Sequence, residues 1–198
     1  MRSKAFTGIA ALLGSVLLLT ACEDKYSEPG NDLSSFSLSK DGSIEAALLD
    51  DFSQNYYNES ELIDYINKEL TAYNSANGDG SISMTGHERL GNNMCVYLHF
   101  ASVKDYDAYM PDSLFTGTVQ EAYDNGYDLD CALAYAGQPL HVIGKNDLMN
   151  MANKKIMIFT GKGRIRMPSA IKFYTQSMKQ TDAKTVEASE EGTYIIIY

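Results

Sequence analysis

The 198-residue sequence lacks the short motifs of the common hydrolases and nucleotide-binding enzymes. It contains no Gly-x-Ser-x-Gly nucleophile turn, no His-Glu-x-x-His zinc motif and no Walker lysine loop. The glycine-rich run at 161–163 is followed by a strand-like stretch, whereas a phosphate cradle requires a helix N-terminus. No catalytic residue is therefore assigned from the sequence. An envelope hydrolase or metal-dependent enzyme, whose site residues converge only in the folded chain, stays an alternative.

Basic residues are scarce over most of the chain. Residues 23–147 carry 22 acids against 6 bases, and the whole sequence has a net charge of −10. This balance argues against nucleic acid as a partner. Residues 148–198 reverse the ratio, with 8 bases against 4 acids. Such a basic group indicates either contact with anionic lipid head groups or anionic wall polymer, or a solvated face that balances the acidic part. Its members are Lys154, Lys155, Lys162, Arg164, Arg166, Lys172, Lys179 and Lys184.

Cysteine and histidine are few, and their spacing does not match a metal site. Apart from Cys22, the chain has Cys95 and Cys131, which in an exported protein either form a disulfide or remain two buried thiols. The histidines and cysteines supply no close pair of ligands, so neither a metal nor a cofactor is predicted. The three histidines are His87, His99 and His141.

Tryptophan is absent, whereas tyrosine occurs 14 times. Tyrosine offers an apolar ring and a polar tip, so these residues could form a face that binds sugar or peptide. They are also ordinary fillers of a small sheet core. We favour the core interpretation for the set as a whole.

The N-terminal segment predicts an exported and lipid-anchored protein. Arg2 and Lys4 precede an apolar run at 9–19, which has the length of a signal-peptide core and is too short to span a bilayer. The residues that follow, Leu19-Thr20-Ala21-Cys22, resemble the lipobox of bacterial lipoproteins, in which the cysteine takes diacylglycerol and becomes the mature N-terminus. The alternative is an ordinary secretory signal that ends beside a cysteine.

The lipobox sets the expected organisation of the chain. Residues 1–21 are predicted to be a lipoprotein signal peptide, and Cys22 to carry acyl chains, palmitate among them, at the extracytoplasmic face of the cell membrane. Residues 22–35 are acidic and contain Pro29 and Gly30, which is typical of a flexible tether. Residues 36–198 have the size of one domain.

The pattern of residues 36–198 predicts an α+β domain with a mostly antiparallel sheet, a few short helices and a strand-rich C-terminal third. Asp41-Gly42 predicts a hairpin turn, and a helix is expected at 59–73 with Asn58 or Ser60 as its N-cap. A second hairpin is predicted at Gly161-Lys162-Gly163. The last strand is expected inside the sheet. The other predicted elements are helices at 102–110, 118–124 and 146–153, and strands at 95–100, 155–160, 164–167, 170–175, 185–188 and 193–198.

One loop resembles the first half of a calcium-binding EF-hand loop. Ser75, Asn77 and Asp79 place oxygen donors at its first, third and fifth positions, and Gly80 stands at the sixth. The twelfth position, where an acid should close the coordination sphere, is Gly86. The tetrapeptide Asp-Gly-Ser-Ile also recurs at 41–44, so turn chemistry is the favoured interpretation.

The chain as a whole resembles small lipoproteins of clostridial Firmicutes. The resemblance is carried by the lipobox, the Asp-Gly hairpin leading into residues 47–52, the helix around 61–74, the region of Tyr106 and 114–118, and the final strand at 194–198. It implies an extracytoplasmic location and transfers a role only to Cys22. Within that setting we expect a non-enzymatic protein that binds an envelope protein, an anionic wall polymer or a small ligand.

Overall fold

The computed structural model describes residues 33–198, and these residues form one sheet of eleven strands with four helices. Among the described strands, only the first and the eighth pair in parallel, so the predicted strand-rich, mostly antiparallel sheet with a few helices is confirmed. The strands are β1 (Ser35–Leu38), β2 (Ile44–Asp51), β3 (Ile82–Leu90), β4 (Asn93–Phe100), β5 (Ser113–Thr118), β6 (Leu133–Tyr135), β7 (Gln138–Ile143), β8 (Lys155–Arg166), β9 (Phe173–Thr175), β10 (Lys179–Gln180) and β11 (Thr185–Ile197). The helices are α1 (Glu59–Asn77), α2 (Val103–Tyr109), α3 (Val119–Asp124) and α4 (Lys145–Met149).

The predicted signal peptide at 1–21, Cys22 and most of the predicted tether lie outside the described residues. The end of that tether is described, and it belongs to the sheet. Leu49 N donates to Ser34 Oγ at 3.0 Å, Arg164 N donates to Ser34 O at 3.0 Å, and Ser35 begins β1. The folded part therefore begins before Phe36.

Two long strands, β8 and β11, organise the sheet. The strand order is β3-β4-β2-β1-β8-β11-β9-β6-β7, with β5 paired to β8 and β10 paired to β11. Strand β8 pairs with β5 through residues 155–160 and with β1 through 164–166. It exchanges one neighbour for the other at Gly161 and Gly163, whose φ angles of 149° and 154° are rare for any other residue.

The prediction of a hairpin at Gly161-Lys162-Gly163 is wrong, because the chain passes through these residues without reversing its direction. The glycines serve close approach instead. A Cβ at Gly163 would lie 2.9 Å from Ser34 O, and one at Gly161 would lie 2.8 Å from Asp112 Cγ. The separate strands predicted at 185–188 and 193–198 likewise form one strand, β11, which carries a bulge between Ala188 and Gly192.

Elements with a local turn or cap signal match their predictions. In the β1–β2 hairpin, Ser43 N and Oγ both donate to Asp41 Oδ1, at 3.0 and 2.7 Å, and these hydrogen bonds lower the pKa of Asp41. Helix α1 begins at the predicted Asn58 cap, since Glu61 N donates to Asn58 Oδ1, and it runs four residues past the predicted end. Helices α2 and α3 follow caps at Ser102 and Thr118.

Elements without such a signal fit less well. The helix predicted at 146–153 ends at Met149, and the strand predicted at 170–175 begins only at Phe173. Strands β5, β6, β7 and β10 had no counterpart among the predicted elements. The final strand does lie inside the sheet, because β11 is flanked by β8 and β9.

The two faces of β8 and β11 differ. One face belongs to the main core along the full length of both strands, through Met157, Phe159, Ile165, Val186 and Ile196. The other face is divided. Its covered half lies against α3 and α4 in a second apolar cluster and consists of Ile156, Ile158, Ile195 and Ile197. Its open half is partly exposed and consists of Arg164, Arg166 and Glu187. No helix among the described residues is long and apolar enough to cross a membrane.

Candidate functional site

A groove of about 570 Å³ runs between α1 and the sheet, and we call it the tyrosine groove. Its apolar lining combines side chains of β2, β4 and α1, namely Leu48, Met94, Val96, Leu98, Leu62 and Ile66. Tyr56, Tyr57 and Tyr65 also line it and are 73%, 43% and 62% exposed. Large aromatic rings left exposed beside apolar surface are typical of a binding face.

Short-range packing holds two of these tyrosines in place where the chain passes from β2 to α1. Ser53 N and Oγ donate to the two oxygens of Asp51, at 3.2 and 3.0 Å, and form a turn. The buried Phe52 ring then stacks on Tyr57 with centroids 5.1 Å apart, and Tyr56 packs edge-on against Tyr57 at 4.9 Å. The aromatic surface is thus ordered before any ligand arrives, which lowers the entropic cost of binding.

The charged residues of the tyrosine groove are all acidic. Asp50, Asp51 and Glu61 line it, and no lysine, arginine or histidine of the described chain does. The pKa of Tyr57 is raised, first by the adjacent Tyr56 hydroxyl, then by burial, and further by the carboxylates of Asp51 and Asp50. The groove therefore combines apolar and aromatic surface with negative charge.

A second cavity, of about 520 Å³, adjoins the groove where β8 exchanges its neighbours, and we call it the strand-junction cleft. It shares Leu48, Asp50 and Asp51 with the tyrosine groove. Its other walls come from β1, the end of α2 and the glycine-containing bends of β8 and β11. The polar residues contributed by these walls and the neighbouring loops include Tyr106, Asp112, Lys162 and Glu191.

Asp112 is a carboxyl group of the cleft whose pKa is perturbed by its surroundings. Burial raises the pKa of Asp112, the Glu191 carboxylate raises it further, and Lys162 opposes both. Lys162 Nζ lies 3.5 Å from Glu191 Oε1 at the exposed rim. The carboxyl of Asp112 packs against Gly161, where only a missing Cβ leaves it room.

The structure does not assemble the calcium-like loop. Ser75 and Asn77 belong to the last turn of α1, where Ser75 Oγ donates to Thr71 O and Asn77 Nδ2 donates to Tyr73 O. Asp79 follows in the exposed turn before β3. The side chains of Ser75 and Asn77 are therefore used by hydrogen bonds within the helix end.

The histidines and cysteines are dispersed. His87 Nδ1 lies 3.1 Å from Glu59 Oε1, His99 Nδ1 lies 2.9 Å from Glu45 Oε1, and His141 packs on the ring of Tyr135. Each of the first two thus meets one carboxylate. Cys95 and Cys131 are free thiols, the first buried on β4 and the second beside the covered-half cluster. Within residues 33–198, no group of three His, Cys, Asp or Glu side chains is arranged to hold a metal ion.

Members of the basic group face acids of their own chain. Arg164 Nη2 lies 2.6 Å from Glu187 Oε1, and Arg166 Nη1 lies 3.7 Å from Asp182 Oδ2. Lys162 pairs with Glu191, as described above. Three of the four acids in residues 148–198 are used in this way. The central part of the group is therefore neutralised locally, which weakens it as a surface for anionic lipid or polymer.

No protein-family model, curated protein or solved structure matches the chain. The function must therefore be inferred from the two adjoining cavities. Sequence reasoning did not single out either of them. The adjacent Tyr56 and Tyr57, directly before a helix N-cap, were the available signal for the groove. Nothing local pairs Tyr106 with Glu191, because they are 85 positions apart.

Proposed function

We propose that this chain is a membrane-anchored extracytoplasmic lipoprotein whose role is to bind a partner, and that the partner is a positively charged peptide segment with apolar side chains. The site is the tyrosine groove. The observation that supports this is the combination of exposed tyrosines and an apolar lining with carboxylates alone as charged groups. Envelope anchoring rests on the lipobox sequence ending at Cys22.

Charge complementarity favours a cationic occupant over a neutral one. An uncharged ligand would displace water from Asp50, Asp51 and Glu61 without supplying a positive charge to pair with them. Lysine or arginine side chains would pair with these carboxylates and could also lie over the tyrosine faces. Apolar side chains of the same peptide would cover the surface formed by Leu62 and Ile66.

The peptide assignment is tested with two synthetic peptides that alternate leucine with either lysine or glutamate. Fluorescence anisotropy with the full chain in neutral detergent should show binding of the lysine peptide only, weakening as salt rises. Asp50→Asn combined with Glu61→Gln should weaken binding about tenfold, and Tyr65→Ser should weaken it as well. Tyr123→Ser is the matched control, because Tyr123 is 51% exposed on α3 and lies outside the groove.

Two results would contradict the peptide assignment. Equal binding of both peptides, unaffected by the groove variants, would mean that the groove does not select its ligand by charge. Binding of a neutral oligosaccharide, abolished by Tyr65→Ser while the lysine peptide does not bind, would make the groove a sugar site.

The anchor is tested separately from the groove. Cells expressing the chain are fed a clickable fatty acid, and incorporation into the protein is measured after membrane isolation. Wild type should be labelled and membrane-bound, whereas Cys22→Ser should lose the label completely. Cys131→Ala, which removes a free thiol of the folded part, should keep it. Unchanged labelling of Cys22→Ser would reject lipidation at this residue.

A further inference from the structure

Tyr106 is the least expected residue of the strand-junction cleft. Its side chain is only 2% exposed, and its ring is fixed edge-on to Phe100 and tilted against Phe36, with centroids 5.1 and 5.2 Å away. Yet its hydroxyl has no hydrogen-bond partner among residues 33–198. Among the fully buried side-chain nitrogens and oxygens of residues 33–198, only Glu45 Oε2 lacks a partner, so the Tyr106 hydroxyl has some access to solvent.

The Tyr106 hydroxyl faces the cleft. Burial raises the pKa of Tyr106, and the Asp112 carboxylate raises it further. Asp112 itself lines the cleft, as does Tyr106. A tyrosine and an aspartate therefore line the same cavity of about 520 Å³.

The carboxyl of Asp112 is held there by the backbone. Gly161 adopts φ 149°, and any Cβ at this position would lie 2.8 Å from Asp112 Cγ. The bend of β8 thus creates the space in which Asp112 sits. Burial and the like-charged Glu191 both disfavour the ionised form of Asp112, so a cation placed beside it would stabilise that form.

We infer that the strand-junction cleft is a second binding site, selective for a primary ammonium group, in which Asp112 and Tyr106 accept hydrogen bonds from the ligand's nitrogen. Four carboxylates line the cleft against one lysine, so a cation is favoured over an anion. The rim already holds one example of this chemistry, since Lys162 Nζ lies 3.5 Å from Glu191. The inference does not depend on the tyrosine groove.

Three substitutions distinguish specific binding of an ammonium group in the cleft from unspecific attraction to surface charge. Asp112→Asn keeps the shape and removes the charge, and it should weaken ammonium binding about tenfold. Tyr106→Phe removes only the hydroxyl, and it should weaken binding about threefold. Lys162→Gln removes a competing cation, and it should tighten binding about twofold. Asp128→Asn is the control, because Asp128 lies in the exposed turn after α3.

The probe is n-propylammonium, with n-propanol and propionate as its neutral and anionic counterparts. Binding is read from the backbone amide resonances of Lys162 and Gly163 in the full chain in detergent micelles. Only the ammonium should shift these resonances at millimolar concentration, and Tyr65→Ser should leave its affinity unchanged. Thermal melting of each variant checks that it is folded.

Two results would overturn the inference. Shifts caused by propionate, and lost in Lys162→Gln, would make the cleft an anion site. Equal shifts with n-propanol and n-propylammonium, unchanged in Asp112→Asn and Tyr106→Phe, would mean that the cleft does not recognise the ammonium group.

Discussion

The covered and open halves of the divided face lie on the same two strands, β8 and β11, but their residues differ in the pattern of burial. In the covered half, Ile156 and Ile158 add a second apolar face to β8, so residues 156–159 are buried without interruption. In the open half, buried and partly exposed residues alternate, and the exposed positions carry Arg164 and Arg166. A continuous apolar run thus marks burial on both faces, whereas alternation marks burial on one.

The comparison also locates the candidate sites. The covered half is closed by α3 and α4. The strand-junction cleft lies at the border between the halves, where glycine bends β8 and where one neighbour replaces another. Bends and bulges of this kind re-aim side chains next to binding sites.

The largest effect is expected from Ile158→Ala in the covered half. Ile158 is 3% exposed and packs in the cluster under α3, so the lost burial and the resulting cavity should cost about 2 to 5 kcal/mol of unfolding free energy. Urea denaturation measures the change. Arg166→Ala, on the same face in the open half, should cost less than about 1 kcal/mol. Similar costs for the two variants would remove the distinction between the halves.

The next largest effect is expected from Gly163→Ala, at the border between the two halves. Gly163→Ala forces a Cβ to within 2.9 Å of Ser34 O at a φ of 154°, so it should destabilise the fold by about 1 to 3 kcal/mol. Gly86→Ala is the control on β3, where φ is ordinary and the nearest atom would be 3.7 Å away. A neutral Gly163→Ala in the same denaturation experiment would show that Ser34 and β1 can move away.

The sequence predicted those parts of the fold that short-range chemistry determines. Asp41-Gly42 and the caps at Asn58, Ser102 and Thr118 each define an element through atoms within four residues. The sequence prediction divides β8 because Gly161 and Gly163 have the pattern of a turn, and it divides β11 at the bulge between Ala188 and Gly192. Their real partners, Asp112 and Ser34, are distant in sequence, and no local rule reveals that a glycine serves such an approach.

The candidate sites were less predictable for the same reason. The tyrosine groove needs α1 to lie over β2 and β4, and the cleft brings Tyr106 of α2 together with Asp112 and with Glu191 of β11. The basic group was visible as a count, but its pairing with Asp182, Glu187 and Glu191 depends on the register of β8 against β11. Composition predicts which charges exist and not which of them remain unpaired.

Ion pairs of the open half and of the cleft rim should differ in strength according to burial. Arg164 donates from Nε and Nη2 to Glu187 Oε1, and the two side chains are 29% and 15% exposed. A double-mutant cycle with Arg164→Gln and Glu187→Gln should give a coupling of about 1 kcal/mol. The same cycle on Lys162 and Glu191, which are 54% and 68% exposed, should give about 0.3 kcal/mol. Equal couplings would mean that burial does not decide their strength.

The smallest effect is the pH dependence of stability that comes from the carboxyl group of Asp112. Because burial and Glu191 raise the pKa of Asp112 above its unfolded value of about 3.9, the folded state binds its proton more tightly. The stability that this proton contributes is fully present below the unfolded pKa and is lost as pH rises through the folded pKa. Asp112→Asn should therefore melt about 1 to 3 °C above wild type at pH 7, with the difference shrinking toward pH 4.

Other charged and polar groups line the cleft with Asp112, so the comparison needs a second variant. Glu191 and Lys162 face it from β11 and β8, Tyr106 from α2, and Asp50 and Asp51 from β2. In a Glu191→Gln background, the advantage of Asp112→Asn at pH 7 should become smaller, because one of the two causes of the raised pKa is gone. If the melting temperature of Asp112→Asn instead rises relative to that of wild type as pH falls, the carboxylate form of Asp112 stabilises the fold. The cleft would then already satisfy that charge, with no need of a ligand's ammonium group.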